Sequence, residues 1–223
     1  MKTILFFATF GLLSSVLPAS AQAETVVESA SGQKFETERT VDGKSYVLTG
    51  TGIRKKFIIK VYAMALYVDE ADAKRAFPSV VQRAGGADKA HLLASDHAES
   101  FLVWGQFGKT AVLRFVRGVD KGKIQNAYRE SLSEELSDKS PADLRSAAEQ
   151  FVALFDHDMQ DGQDLIIHTT TDGKVSVEMA GVKKDGPQNA KLNRAIWSIW
   201  LGAKPISADL KKGLVDRIEV LGK

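Results

Sequence analysis

Residues 50–69 read GTGIRKKFIIKVYAMALYVD, and the pattern of this stretch governs the reading of everything around it. From residue 57 onward it is rich in β-branched and aromatic side chains, as a strand requires. One parity (Phe57, Ile59, Val61, Ala63, Ala65, Tyr67) is almost wholly apolar and the other (Lys56, Ile58, Lys60, Tyr62, Met64, Leu66) is mixed. That predicts a sheet with one face under a core and the other amphipathic. Ahead of the strand, Arg54 opens a basic run with Lys55 and Lys56. A guanidinium beside apolar surface is costly to bury unless an anion pairs with it, and its fork of donors matches a carboxylate. Arg54 shares strand parity with Tyr62, whose hydroxyl could complete the grip. On one straight strand, eight residues span roughly 26 Å, so the pair meets only if the chain turns between Lys55 and Phe57. The other reading of Arg54 is a surface charge that ends a strand.

Working outward, polar residues 24–40 give way to Tyr46-Val47-Leu48 after an Asp42-Gly43 turn signal. Residues 71–83 read as a helix weakened by Pro78, with Gly85-Gly86 as the following loop. Residues 110–119 alternate as a strand, with Ala111, Leu113 and Phe115 on one parity. The next helix gathers Ile124, Tyr128, Ser131, Leu132 and Leu136 on one side. Ser140-Pro141-Ala142-Asp143 predicts a helix start with a Ser cap and Pro at the first helical position. Residues 165–168 and 175–179 read as a hairpin joined through Asp172-Gly173. Helices at 190–201 and 208–221 end the chain, the second capped by Ser207. This order predicts an α+β fold with helices gathered on one face of a largely antiparallel sheet.

At the start of the chain, Lys2 precedes a charge-free, apolar-rich stretch over 4–17, then Pro18 and Ala21-Gln22-Ala23 before Glu24. This is the pattern of a secretory signal, residues 1–23, cleaved near Ala23. The stretch is shorter than the roughly 20 residues a membrane span needs, so no stable membrane anchor is expected. The expectation is an exported, periplasmic or secreted protein whose residues 24–223 form a single domain. With no cysteine there is neither a disulfide nor a lipid attachment point, and stability must come from an ordinary hydrophobic core. Without Lys2 the chain carries 29 basic against 28 acidic side chains, a balance that argues against nucleic acid. Metal chemistry has few ligands, since there are four histidines. Asp156-His157-Asp158 is superficially metal-like, but such a cluster is ordinarily a solvated helix end. No motif for a serine hydrolase, a zinc protease or a phosphate-binding loop occurs, and no cofactor or catalytic residue is expected.

The segment 50–69, the strand Leu113-Arg114-Phe115-Val116-Arg117 with its following helix, and Trp200-Leu201-Gly202 followed by Pro205-Ile206-Ser207 occur in an order that resembles the chalcone-isomerase-like superfamily. The resemblance extends over about residues 46–221 and is closest to the bacterial exported members. It implies an open-faced β-sandwich, a large antiparallel sheet with a layer of helices, and a cleft between them that holds an amphipathic small molecule. In plant isomerases of the superfamily an Arg, a strand Thr, a helix Tyr and Asn, and a late Thr or Ser surround a chalcone. In fatty-acid-binding members an Arg and a Tyr hold a carboxylate. Carried over residue by residue, the Arg falls on Arg54 and the strand Thr on Tyr62. The helix Tyr and Asn fall on or near Ile124 and Ser131, and the late hydroxyl falls on Ile199. Most of the isomerase set is therefore lost, although Tyr128, one turn past Ile124, could supply a phenol from the same face.

The resulting expectation is a non-catalytic binding protein for a fatty acid or similar amphipathic carboxylate. Its candidate ligand-binding residues are Arg54, Tyr62, Tyr128, Ser131 and Ile199. An isomerase-type intramolecular lyase and an envelope interaction module with a vestigial pocket are the alternatives, and the sequence names no protein partner. Trp197 and Trp200 read as core, or as a lid on the cleft.

Overall fold

The computed structural model describes residues 23–137 and 139–223; the predicted signal, apart from Ala23, lies outside the described residues. Two short strands, β1 (Thr25–Val27) and β2 (Lys34–Glu36), form a hairpin of their own. The main sheet begins with β3 (Glu38–Val41), β4 (Lys44–Lys56) and β5 (Ile59–Asp69). Four helices follow, α1 (Glu70–Ala76), α2 (Pro78–Ala84), α3 (Lys89–Leu93) and α4 (His97–Trp104), and then β6 (Lys109–Phe115). After α5 (Lys121–Glu135) and α6 (Ala142–Ala153) the sheet resumes with β7 (Asp164–Thr169), β8 (Lys174–Met179) and β9 (Val182–Gln188). The chain closes with α7 (Ala190–Leu201), α8 (Ala208–Leu214) and a 3-10 turn, Ile218–Gly222. Strands β3 to β9 pair antiparallel in sequence order. The fold is α+β, a seven-stranded antiparallel sheet with its helices layered on one face.

Both faces of the central strands are covered, which corrects the expected amphipathic face. Met64, Leu66 and Val68 of β5 and Ala111, Leu113 and Phe115 of β6 join the helices in the main core. Ala63, Ala65 and Tyr67 face the other way, against Phe35 of the β1–β2 hairpin and Tyr46, Leu48 and Ile53 of β4. Nor is the expected strand over 57–68 continuous with its parity. Phe57 and Ile58 form the turn between β4 and β5, and the register slips between Arg54/Tyr62 and Lys55/Lys60, so that Val61 is an extra residue in β5. Such a bulge redirects side chains: Phe57, Ile59, Val61 and Tyr62 all reach the helix side, although the sequence parity separates the first three from the fourth.

A second bulge, at Thr49 in β4, anchors the opposite end of this hairpin. The Thr49 hydroxyl donates toward the Leu66 and Leu214 carbonyls at 3.2 and 3.0 Å, and the Arg217 N–H donates to the Thr49 carbonyl at 2.8 Å. There α8 lies almost on the strand backbone. A Cβ on Gly50 would stand 2.1 Å from the Gly213 carbonyl oxygen, and one on Gly213 would stand 2.3 Å from that of Thr51. Only glycine permits this approach.

Other differences have local causes. The predicted helix over 71–83 is two helices, because Pro78 starts α2 at its first position after Phe77 ends α1. Ser140 does not cap α6. Pro141 holds the cap position, while the Ser140 hydroxyl accepts from the Ser137 N–H. The final predicted helix stops at Leu214 and resumes as the 3-10 turn. β9, with its polar Lys183-Lys184-Asp185-Gly186 run, lacks strand alternation; it is an edge strand, where charge is favoured, and it follows β8 through a turn with Ala180 and Gly181 both at positive φ.

Replacing Gly50 by Ala is expected to destabilise the protein by about 1–3 kcal/mol in chemical denaturation, the usual range for forced overpacking. Gly122→Ala near the start of α5, where a Cβ would meet nothing within 4 Å, is expected to be neutral or stabilising. Equal effects of the two would refute the close-approach account.

Candidate functional site

Between the sheet and α5 and α7 lies an open cleft of about 810 Å³. Its floor is built from cross-strand pairs. Arg54 of β4 is the direct partner of Tyr62 of β5, which is in turn the partner of Phe115 of β6. Directly paired residues project from the same face of a sheet, so the hairpin brings Arg54 and Tyr62 side by side despite their separation in sequence. The turn that allows this falls at Phe57–Ile58, one residue later than the sequence requirement placed it. Leu113 and Leu165 extend the floor. Ile124, Tyr128 and Ser131 of α5 form one wall, and Ile199 and Trp200 of α7 close the inner end. All five candidate residues, Arg54, Tyr62, Tyr128, Ser131 and Ile199, therefore line one cavity.

The chemistry of the lining changes from rim to interior. Lys56, Arg117 and Lys123 stand exposed at the rim, with Glu130 as the acid among them, while Leu113, Phe115, Ile124, Leu165 and Ile199 are buried inside. Lys123 is paired with Asp120 at 2.6 Å. Arg54, partly buried between these zones, donates only to the adjacent Lys55 carbonyl and has no acid partner among the described residues. Its charge is thus available to an anion.

Two phenols face this space. The Tyr62 hydroxyl accepts from the Trp200 indole N–H at 3.1 Å, which fixes the ring and leaves its own proton free to donate. Burial pushes its pKa up to about 12, against the opposing pull of the Trp200 hydrogen bond and the Arg54 charge. Tyr128 is stacked on Phe155 with ring centroids 4.2 Å apart and meets Trp200 edge-on. No described residue hydrogen-bonds its hydroxyl, and burial, with Tyr62 adding to it, holds its pKa well above the usual phenol value. Both phenols are neutral donors at physiological pH. Trp197 is core, its indole N–H donating to the buried Thr169 hydroxyl at 3.0 Å. Trp200 is both core and cleft wall, so neither indole is a separate lid.

A family model described as chalcone isomerase-like matches residues 27–216. The chain belongs to the chalcone isomerase-like family. Among solved structures, it is similar to a fatty-acid binding protein of Arabidopsis thaliana, with a TM-score of 0.71 and 20% identity over 89% of this chain and 98% of that one. No match is found among curated proteins.

Within this chalcone isomerase-like fold, sequence reasoning missed the cationic rim. Arg117 shares parity with Leu113 and Phe115, so the alternation expected over 110–119 carried the signal; Lys56 belonged to the basic run that Arg54 opens and was given no place in the cleft. Arg114, in the same motif, faces away. It forms a two-pronged pair with Asp164, both contacts 2.8 Å, and lies over the Phe35 ring. Asp156-His157-Asp158 is tied up locally: His157 contacts Asp156 at 2.6 Å, and Lys184 reaches the same carboxylate. Among the described residues no group of three His, Cys, Asp or Glu could hold a metal ion.

The chain has four tyrosines, and burial raises the pKa of every one, Tyr62 and Tyr67 to about 12 and Tyr46 and Tyr128 upward as well. A raised phenol pKa contributes stability that is present in full below the unfolded value near 10 and is lost as pH climbs from there through about 12. Alkaline titration is therefore expected to show tyrosinate absorbance only together with loss of tertiary circular dichroism. A native-state phenolate titrating near pH 10 would contradict the burial of these side chains.

Proposed function

We propose that the protein is an exported, non-catalytic binding protein for a fatty acid or a similar amphipathic carboxylate, held in the cleft between sheet and helices. The observation that carries this reading is the Arg54–Tyr62 cross-strand pair at the head of an apolar interior. Arg54 supplies an unpaired guanidinium and Tyr62 a hydroxyl free to donate, a pair suited to two carboxylate oxygens. The acyl chain runs inward along Leu113, Phe115, Ile124, Leu165 and Ile199. Each buried methylene adds about 0.8 kcal/mol, and with the charge-assisted contacts the sum reaches micromolar affinity. The name of the Arabidopsis thaliana relative, a fatty-acid binding protein, supports the same ligand class. Ile124 and Ile199 line the cleft with methyl groups at positions where the plant isomerases, by resemblance, carry hydroxyls, which favours binding over turnover. The signal-like pattern over residues 1–23 supports export of the mature protein to the periplasm or the extracellular medium.

The test is mass spectrometry of small molecules extracted from residues 24–223 and from the Arg54→Ala variant, followed by titration of both with a fluorescent fatty acid. Parent protein is expected to carry or accept the acid, and Arg54→Ala to bind it about 10- to 100-fold more weakly, the value of charge-assisted hydrogen bonds. A parent that rejects fatty acids would overturn the reading, and chalcone turnover sensitive to Arg54→Ala would replace it with the lyase.

A further inference from the structure

The turn of the β4–β5 hairpin carries the two most exposed large apolar side chains among the described residues, with a third beside them. Phe57 is 90% exposed, Ile58 92% and Ile59 47%. Single exposed apolar side chains are common, but three consecutive ones at the end of a projecting hairpin are not explained by folding. The backbone there is also costly. Phe57 holds a φ of 57°, a left-handed conformation that glycine or asparagine would adopt with less strain. The two other turns with positive φ at a non-glycine residue, at Asp42 and Ala180, each place glycine next; this one places Ile58.

The charges around the tip give it a counterpart. Arg54, Lys55, Lys56 and Lys60 form a basic collar at the base of the apolar tip, and Arg117 lies on the neighbouring cleft rim. None of these five forms an ion pair with a carboxylate among the described residues; Arg54 and Lys60 reach only backbone carbonyls, of Lys55 and Ala30. An apolar point within a ring of unpaired cations matches the interface of an anionic bilayer, where aromatic and aliphatic groups enter the acyl boundary and Lys and Arg remain at the phosphates.

We propose that the Phe57-Ile58-Ile59 tip docks reversibly on an anionic lipid bilayer, with the basic collar against the lipid phosphates. Phe57 and Ile59 also line the rim of the cleft, so a docked tip sets the cleft opening against the membrane, and an amphipathic ligand can pass between bilayer and cleft without crossing bulk water. The docking does not depend on the identity of that ligand.

The probe is co-sedimentation of residues 24–223 with vesicles of phosphatidylcholine alone and of phosphatidylcholine with phosphatidylglycerol. Parent protein is expected to bind the anionic vesicles and to be released by high salt. Ile58→Ser and Lys55→Glu are each expected to weaken binding several-fold and together by more than about tenfold. Neither side chain lines the cleft, so fatty-acid titration in solution should be unchanged in both. An Ile58→Trp variant excited in a background of the native tryptophans should add a blue-shifted emission component on anionic vesicles only. Failure of the parent to bind anionic vesicles, or equal binding by parent and double variant, would overturn the proposal. So would capture of a protein through Ile58 without vesicle binding, because the tip would then be a protein contact. A chain that binds vesicles and rejects fatty acids would keep this proposal while removing the binding-protein reading, so the two fail separately.

Discussion

One inserted residue, Val61, determines which side chains the cleft contains. Without it, alternation along β5 would direct Tyr62 to the helix side and Val61 and Ile59 to the opposite face, where β1–β2 already covers the sheet. With it, Arg54 remains opposite Tyr62 while Ile59 and Val61 turn to the same side, beside Lys56 of β4. The unpaired Val61 carbonyl is not wasted, since it accepts from the Val116 N–H at 3.1 Å and keeps β6 in place beside the bulge. The apolar wall that Ile59 and Val61 add beside the Arg54–Tyr62 pair follows from this local slip of the ladder.

The polarity gradient in the cleft then has a simple electrostatic logic. Tyr62 and Tyr128 are surrounded by aromatic rings and aliphatic side chains, so their ionised forms are disfavoured and they act as neutral donors. Arg54 sits partly buried where the lining changes from exposed cations to closed hydrocarbon. An anion placed there meets attraction from Arg54, Lys56 and Arg117 without being taken fully out of water, which limits the desolvation cost that makes deeply buried ion pairs unprofitable.

How much of this was legible in the sequence follows from which signals are periodic. The helix face at Ile124, Tyr128 and Leu132 and the bounds of α7 follow from apolar spacing, and the structure buries those residues. The bulge was hidden because both parities of 57–68 are largely apolar, so a slip of one residue exchanges hydrophobic for hydrophobic and leaves no trace in the pattern. β9 was hidden for the opposite reason, since an edge strand needs no apolar face. The five candidate residues reached one cavity through a mixture of sources. Arg54 and Tyr62 were read from physical complementarity as well as family resemblance, whereas Ser131 and Ile199 came from resemblance alone. The hydrogen bond from Trp200 to Tyr62 joins residues 138 positions apart, and no local rule could have supplied it.

The β4–β5 hairpin has two dissimilar ends, and the difference is itself informative. At one end Thr49, Gly50 and Gly213 lock the strand against α8 so closely that a methyl group does not fit. About seven residues further along β4, roughly 20 Å at ordinary strand rise, the chain ends in Phe57 and Ile58, which are almost fully exposed. The paired strands between this clamp and the turn set where the tip stands relative to the cleft. Strain at Phe57 is tolerable only because paired strands on both sides hold the turn. The strand that carries the apolar tip beside the cleft rim is thus the one that Gly50 and Gly213 let α8 pack against, which connects the packing of α8 to the cleft opening.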